Sequence, residues 1–484
     1  MSLVIQNTLS NQREAFQPLE PGKIKMYACG VTVYDVCHIG HGMQAIVYDV
    51  LRNYFKFKGF EVTYVRNYTD VDDKIIARAN ELGVSALEHS EKMIQETEAD
   101  LALLGVKPAD HQPKVSDHIP EIIDLIQSII EHGGAYESGG DVYFDVQSFP
   151  QYGCLSNRTP EELQAGVRVE VNPNKRNPAD FALWKRAKEG EVAWDSPWGP
   201  GRPGWHIECS ALAMKFLGKA FDIHGGGRDL IFPHHENEIA QSLKGTDGPF
   251  AKYWIHNGLV KVDGRKMSKS FNNFLSIRDA VRDYHPETIR FTILSHHYSG
   301  SIDFSEKSFY DAYHRLIYFY NTLKRIDQMV AMVSEYPDSL PANFEMPEIE
   351  ADFIKAMDDD FNTVQALAKI GQVFKLMNDL IAAKKPKMKM KLHALVTMKE
   401  QVKKALAILG LCQEEPEMGL AQIQDYLVRS KKVDLEKVQS LLNDREQARS
   451  EKEWGKADEL RDQLLEMGVA VMDTPSGTEW QVLP

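Results

Sequence analysis

Two segments far apart in the chain carry side chains suited to handling a nucleoside triphosphate. The first is His38-Ile39-Gly40-His41. Two imidazoles can donate hydrogen bonds to phosphate oxygens, and Gly40 between them lets backbone approach a ligand closely. Where a strand hands over to a helix, the helix N-terminus adds its own preference for anions. Taken alone, the tetrapeptide fits a turn with a packed histidine equally well. The second segment is Lys266-Met267-Ser268-Lys269-Ser270, led by Gly264-Arg265. Its lysines and small hydroxyls can stabilise charge building on a pentavalent phosphorus and on departing pyrophosphate. A solvated basic loop is the plain alternative. No GxxxxGK[ST] loop competes for the nucleotide role.

A third group has metal-binding character. Cys29, Cys209, His234 and Glu238 offer two thiolates, an imidazole and a carboxylate, a set that suits tetrahedral zinc better than magnesium or calcium. His234 and Glu238 are spaced i, i+4 on a predicted helix, so both project from one face. The CxxC spacing of structural zinc sites is missing, and each residue taken singly fits a packed cysteine or a surface helix charge. Cys37, next to His38, is a competing thiol. His235-Glu236-Asn237-Glu238-Ile239 begins like HExxH but ends in isoleucine, which excludes a metalloprotease site.

These groups need a frame. Residues 23–28 alternate like a strand, with Ile24, Met26 and Ala28 on one side. Ile46, Val47, Val50, Leu51, Tyr54 and Phe55 then recur at helical spacing, with Gly59 as the stop. A second strand is predicted over 61–66, giving a βαβ unit and a parallel sheet with ligands at its carboxyl edge. Glycine pairs and short aromatic segments between 120 and 200 predict hairpins in an insertion. The α/β pattern resumes with a strand at Phe221-Asp222-Ile223 leading into Gly225-Gly226-Gly227. A helix from about Pro233 to Lys244 and a strand at 253–256 follow. Beyond 275 the pattern is helical, with long periodic stretches over 310–333 and 351–383. Lys384–Lys391 reads as a basic loop and 414–417 as an acidic linker. Helices over 434–449 and 454–467 and a closing hairpin complete the chain.

The chain has 484 residues, of which 43% are hydrophobic, enough for real cores, so wholesale disorder is excluded. No apolar run reaches the ~20 residues of a membrane helix, and the N-terminus lacks a basic start before an apolar stretch. A soluble, cytoplasmic protein without membrane partners is expected. The formal charge of −14 argues against nucleic acid only if charge is evenly spread. Cys29, Cys37, Cys154, Cys209 and Cys412 are too scattered for a disulfide framework, and free thiols or metal ligands fit better.

Together, the HIGH tetrapeptide at the end of the first strand and the KMSKS pentapeptide after the last one resemble the signature pair of class I aminoacyl-tRNA synthetases. The order and the intervening insertion agree. Tyr27-Ala28-Cys29-Gly30-Val31-Thr32-Val33-Tyr34-Asp35, Asn67-Tyr68-Thr69-Asp70-Val71-Asp72-Asp73-Lys74-Ile75-Ile76, Gly204-Trp205-His206-Ile207-Glu208-Cys209-Ser210 and Asp222 through Glu238 narrow the resemblance to the cysteinyl-tRNA synthetase family, over essentially the whole chain. It implies an α/β fold: a Rossmann-type parallel-sheet catalytic domain split by an insertion, an α-helical bundle and a small α+β C-terminal anticodon-binding domain. The expected divisions are the first catalytic half, 1–118; the insertion, 119–202; the second half, 203–265; the KMSKS loop and stem-contact region, 266–315; the bundle, 316–412; and the tail, 413–484.

The resemblance also implies roles. L-cysteine and ATP, with Mg2+, would form cysteinyl-adenylate and pyrophosphate, and the cysteinyl group would pass to the 3′ end of tRNA(Cys), on a monomer. Cys29, Cys209, His234 and Glu238 would hold one Zn2+ that takes the substrate thiolate, with Cys29 rather than Cys37 at the family position. His38, His41, Lys266 and Lys269 would be catalytic. Gly40, Gly225, Gly226, Gly227, Asp229 and Ser268 would join them around ATP. Gly30, Thr69 and Trp205, with Cys29, would line the cysteine pocket, although an ordinary buried aromatic explains Trp205 equally. His206, His224 and His256 are polar candidates that core histidines bonded to backbone explain nearly as well. Lys324, Arg325, Lys384–Lys391 and the Lys431–Lys432 pair are candidate phosphate contacts, and Trp480 is placed to stack an anticodon base.

Cysteine and serine differ by one atom, which a hydrophobic pocket discriminates poorly. Selection at a metal makes editing unnecessary, and an insertion of about eighty residues is short for an editing domain. A ligase passing activated cysteine to an amino sugar is the nearest rival; the tail helices and hairpin argue against it. A non-catalytic RNA-binding descendant is opposed by the intact motif residues.

Overall fold

The computed structural model describes residues 2–158, 172–246, 248–262, 264–267, 273–340, 344–385, 387–474 and 477–483. A hairpin of β1 (Val4–Asn7) and β2 (Gln12–Ala15) precedes the first long strand, β3 (Lys23–Thr32). Helix α1 (Ile39–Phe57) follows, and β4 (Glu61–Thr69) pairs parallel to β3, as the sequence predicts. The alternation at 23–28 is real, yet both faces of β3 are buried. Ile24, Met26 and Ala28 pack into a core with α1, whereas Tyr27 and Cys29 enter a second core on the opposite face. Helices on both faces of a parallel sheet require this.

Helices α2 (Asp73–Leu82), α3 (Ala86–Leu103) and α4 (Ile119–Glu131) lead to the inserted region. There β5 (Ala135–Ser138), β6 (Asp141–Phe144), β7 (Phe181–Arg186) and β8 (Gly201–Pro203) form an antiparallel sheet in that order. The chain returns through α5 (Trp205–Leu217), β9 (Phe221–Gly227), α6 (Glu236–Thr246) and β10 (Ala251–Asn257). The central sheet is wholly parallel, with the order β10-β9-β3-β4. From β3 the chain thus moves first to one side and later to the other. The carboxyl ends of β3 and β9 flank that reversal, where open α/β sheets bind ligands.

Short strands β11 (Val260–Val262), β12 (Arg265–Lys266) and β13 (Ile302–Phe304) make a small sheet, interleaved with α7 (Ile277–Asp283) and α8 (Pro286–Leu294). Helix α9 (Glu306–Ala331) begins the bundle. The stretch predicted as one helix over 351–383 is two, α10 (Ile349–Met357) and α11 (Thr363–Ala382). Asp360 and Phe361 break it, with φ of 57° and 52°. The break places the Asp360 carboxylate to accept from Gln6 N–H and Tyr298 O–H, a tertiary requirement that local periodicity does not carry.

Two further expectations are corrected. Helix α12 (Met388–Leu409) begins inside the supposed basic loop, and Lys391 is buried, its ammonium donating to the Ile381 and Ala383 carbonyls at the end of α11. Lys391 is therefore a helix cap and not a phosphate contact. The acidic stretch at 414–417 is no free linker, because α13 (Pro416–Lys431) starts at Pro416. The tail is as expected: α14 (Leu435–Ser450), α15 (Trp454–Glu466) and a hairpin of β14 (Val469–Thr474) and β15 (Gly477–Val482), in which a half-buried Trp480 pairs with Val471. Among the described residues, no helix is long and apolar enough to cross a membrane.

Candidate active site

A cavity of 360 Å³ opens at the carboxyl ends of β3 and β9. Its wall nearest α1 carries His38, Gly40 and His41; its floor carries Cys29, Cys209 and His234. Thr69, Trp205, Gly227 and Asp229 line the remainder, and Met267 reaches in from the loop after β12. Segments far apart in sequence thus meet in one place.

Helix α1 starts earlier than its apolar pattern shows. His38 is its N-cap, the imidazole Nδ1 accepting the Gly40 N–H, while His41 Nδ1 accepts from His38 N–H. Both imidazoles belong to the helix start, where backbone N–H groups face outward. The rings stack with centroids 3.7 Å apart, and Phe274 meets His38 edge-on. Desolvation, then the neighbouring His38 ring, pushes the His41 imidazole well below its ordinary pKa, so it is neutral at physiological pH.

Below these rings lie the four metal candidates, all buried. Cys29 Sγ is 3.3 Å from Glu238 Oε1 and 3.5 Å from His234 Nε2; His234 Nε2 is 3.2 Å from Glu238 Oε1. With Cys209 Sγ, these donor atoms all lie within 4.8 Å of one another. Burial, then Cys209 and Glu238, drives the Cys29 thiol well up; burial and the His206 and His224 rings drive the His234 imidazole well down. A divalent cation would reverse the penalty on the thiolate, and it needs the neutral imidazole that burial already favours. The donor set therefore fits a soft divalent metal.

A second set, Cys29, His224, His235 and Glu238, meets the same distance limit. In it, His224 Nε2 is 2.8 Å from Glu238 Oε2, and His235 Nδ1 is 2.7 Å from His256 Nε2, while each ring keeps a second nitrogen without a hydrogen-bond partner among the described residues. Cys29, Cys209 and His234 border the cavity, whereas His224 and His235 stand behind it. A reactive metal needs an open position, which favours the first set. Cys37 belongs to neither; its thiol contacts Thr97 Oγ1 at 3.4 Å in a different part of the core.

Helical backbone begins at Pro233, as the sequence predicts, first as a wider π turn and from Glu236 as α6. His234 sits in the preceding turn, Ile231–His235, which extended backbone at Phe232 interrupts. The interruption precedes His234, so His234 and Glu238 share helical backbone at the i, i+4 spacing and their side chains meet. His206, His224 and His256 contact His234, Glu238, His235 and Thr8 rather than backbone. The buried-aromatic alternative for Trp205 is also corrected: it is 36% exposed, at the cavity rim, stacked on His234 with centroids 4.3 Å apart.

Thr69 donates to Glu208 Oε2 at 2.8 Å, and burial pushes this carboxyl well above the usual range. Gly30 is pressed against Asn67, whose Oδ1 accepts the Gly30 N–H; a Cβ there would collide with the Asn67 carbonyl. Of the three glycines ending β9, Gly227 lines the cavity. Gly225 and Gly226 present their bare Cα atoms to Tyr48 and His235. Ser268 and Lys269 lie outside the described residues. Lys324 is 3.9 Å from Glu417, and Arg325 donates to Asn378.

Several contributors escape sequence reasoning. Gln44, which donates to Cys29 O at 2.6 Å, stands one helical turn after His41, so its spacing on α1 was an available signal. Glu208 and Asn67 stand in segments that carry the resemblance, but their own roles were not legible because only the tertiary fold buries them. Tyr34 and Lys74 line the cavity together, the ammonium 5.3 Å above the ring.

A parallel sheet with its cavity at the strand reversal and histidines at the start of α1, in a chain whose sequence carries a lysine pair at 266 and 269, define the chain as a class I aminoacyl-tRNA synthetase in fold. Residues 15–314 match the family described as tRNA synthetases class I (C) catalytic domain, residues 352–413 the DALR domain, and residues 435–480 the cysteinyl-tRNA ligase anticodon binding domain. The cysteine--tRNA ligase of Syntrophotalea carbinolica is 46% identical, over 99% of this chain and 100% of its own length. That of Geobacter sulfurreducens is 45% identical, over 100% of both chains. A Mycobacterium tuberculosis methionyl-tRNA synthetase, solved with methionyl-adenylate, shares the fold with a TM-score of 0.63 at 13% identity, covering 82% of this chain and 93% of that one. The chain belongs to the cysteinyl-tRNA synthetase family.

Proposed function

We propose that this chain, which joins cysteine to tRNA at the expense of ATP, selects its amino acid at the cluster of Cys29, Cys209, His234 and Glu238, which would hold a zinc ion. The carboxylate of cysteine attacks the α-phosphorus of ATP, pyrophosphate leaves, and the 3′-terminal adenosine of tRNA(Cys) then displaces AMP from cysteinyl-adenylate. No side-chain nucleophile is required, so catalysis rests on positioning and charge stabilisation.

His38, His41 and the N-terminus of α1 hold the phosphates, which arrive with Mg2+; Lys266, Ser268 and Lys269 stabilise the leaving pyrophosphate. Gly40 and Gly227 allow close approach of the nucleotide, and Asp229 accepts a hydrogen bond from the adenosine. Gly225 and Gly226 contribute by letting Tyr48 and His235 close on β9. Gly30, Thr69 and Trp205 shape the amino-acid pocket, with Thr69 oriented by Glu208. A zinc ion on the four donors would supply a soft Lewis acid that binds a thiolate far better than a hydroxyl.

The observation that carries this reading is that Cys29, Cys209 and His234 face the same cavity as His38 and His41. The match of 435–480 to an anticodon-binding family supports an RNA acceptor over an amino sugar. A monomer in the cytoplasm is the setting we propose for the reaction. Cobalt(II) tests the ligand set. The loaded protein should show thiolate-to-cobalt charge transfer that cysteine, and not serine, intensifies. Loading without a thiolate band overturns the assignment.

A further inference from the structure

The turn that carries His234 is held from outside the central sheet. Glu236 is fully buried at the start of α6, yet among the described residues no cation lies within ion-pair distance of it. Its donors come instead from one short stretch of the inserted region. Oε1 accepts the N–H of Gly153 at 2.9 Å and of Leu155 at 3.3 Å, with the Cys154 thiol at 3.5 Å; Oε2 accepts the N–H of Ser156 at 2.8 Å. Successive backbone donors wrapped around one anion form a nest. Two neighbours are gripped by the same stretch: Tyr152 O–H donates to Asn237 Oδ1, and the Arg158 guanidinium lies 5.0 Å over the Phe232 ring. Leu155 is buried in the core that also contains Cys29 and Cys209.

Phe232, Glu236 and Asn237 bracket His234, and Glu238 is one residue further on. Extended backbone at Phe232 starts a new helical segment just before His234, so no preceding turn of backbone hydrogen bonds holds the beginning of that segment in place. We propose that residues 152–158 are a strap for the metal-holding turn and that Glu236 is its clasp. Glu236 is then a positioning residue for amino-acid selection, acting through His234 and Glu238 as outer partners of metal ligands do. This rests on the zinc reading above, and it gives part of the insertion a direct role in the site.

Glu236→Gln conserves shape but turns an amide N–H2 toward backbone N–H donors. In the full-length protein, hydrogen exchange of residues 152–158 and 230–238 should rise together, with or without metal. Transfer of zinc to a chelating dye should quicken by roughly 10- to 100-fold, and KM for cysteine should rise while KM for ATP stays unchanged. Exchange that rises at 152–158 alone, with zinc retention unchanged, overturns the proposal, as does exchange that rises nowhere. Should Glu236→Gln not fold, the double variant Tyr152→Phe, Arg158→Ala loosens the strap from its other side. It must raise exchange at 230–238, or the proposal falls. A wild-type protein that takes up no zinc defeats the zinc reading instead, and exchange in the metal-free protein still judges the strap.

Discussion

His224 Nε2 lies 2.8 Å from Glu238 Oε2, with both side chains fully buried. The contact occupies one carboxylate oxygen and leaves Oε1 facing Cys29 and His234. His224 thus orients the proposed metal donor Glu238 from the side away from the cavity. His224→Phe keeps a ring to stack on Trp254 but removes this hold. Zinc affinity, measured by dye competition, is expected to fall roughly 10- to 100-fold.

Cys29 and Cys37 separate cleanly. Cys29→Ser is expected to abolish stoichiometric zinc, because a hydroxyl is a poor substitute for a thiolate ligand. Cys37→Ser, whose thiol faces Thr97, should retain one zinc per chain. Metal analysis of the two purified variants decides it; equal loss would place the ligand set elsewhere.

Much of the site was legible because its chemistry lies in residue types that are scarce and clustered. The tetrapeptide at 38–41 and the pentapeptide at 266–270 are distinctive as a pair though not singly, and the βαβ pattern at 23–66 predicts where the first must sit. What stayed hidden depends on partners distant in sequence. Glu208 and Glu236 look like ordinary helix charges until Thr69 and the backbone at 153–156 close on them. Lys391 looked like part of a basic loop because the capped end of α11 is invisible to periodicity.

That correction yields a test of tRNA binding. Replacing Lys384, Lys385, Lys387 and Lys389 by glutamine should flatten the dependence of tRNA affinity on salt if this segment meets phosphates. Lys391→Met should leave the slope unchanged and cost about 1 kcal/mol of stability, through the lost bonds to two carbonyls. Filter binding at several salt concentrations and denaturant unfolding read the two effects.

The tail has its own acid response. Arg445, with help from Arg449, holds the Asp473 carboxylate down from 3.8 to about 2. Its folded-state pKa lies below the unfolded one, so the stabilisation is present above about pH 4 and drains away as pH falls toward 2. The pair is partly exposed, which limits the effect to about 1 kcal/mol or less. Asp473→Asn should remove this part of the tail's acid sensitivity, followed by hydrogen exchange in β14 and β15.

The central claim, that cysteine is chosen at the metal donors beneath His38 and His41, is tested most directly by amino-acid-dependent exchange of pyrophosphate into ATP. The zinc-loaded protein should support exchange with cysteine and almost none with serine, and stripping the metal should abolish the cysteine signal until zinc is restored. Exchange with cysteine that survives complete removal of the metal, or that serine supports equally, would contradict it.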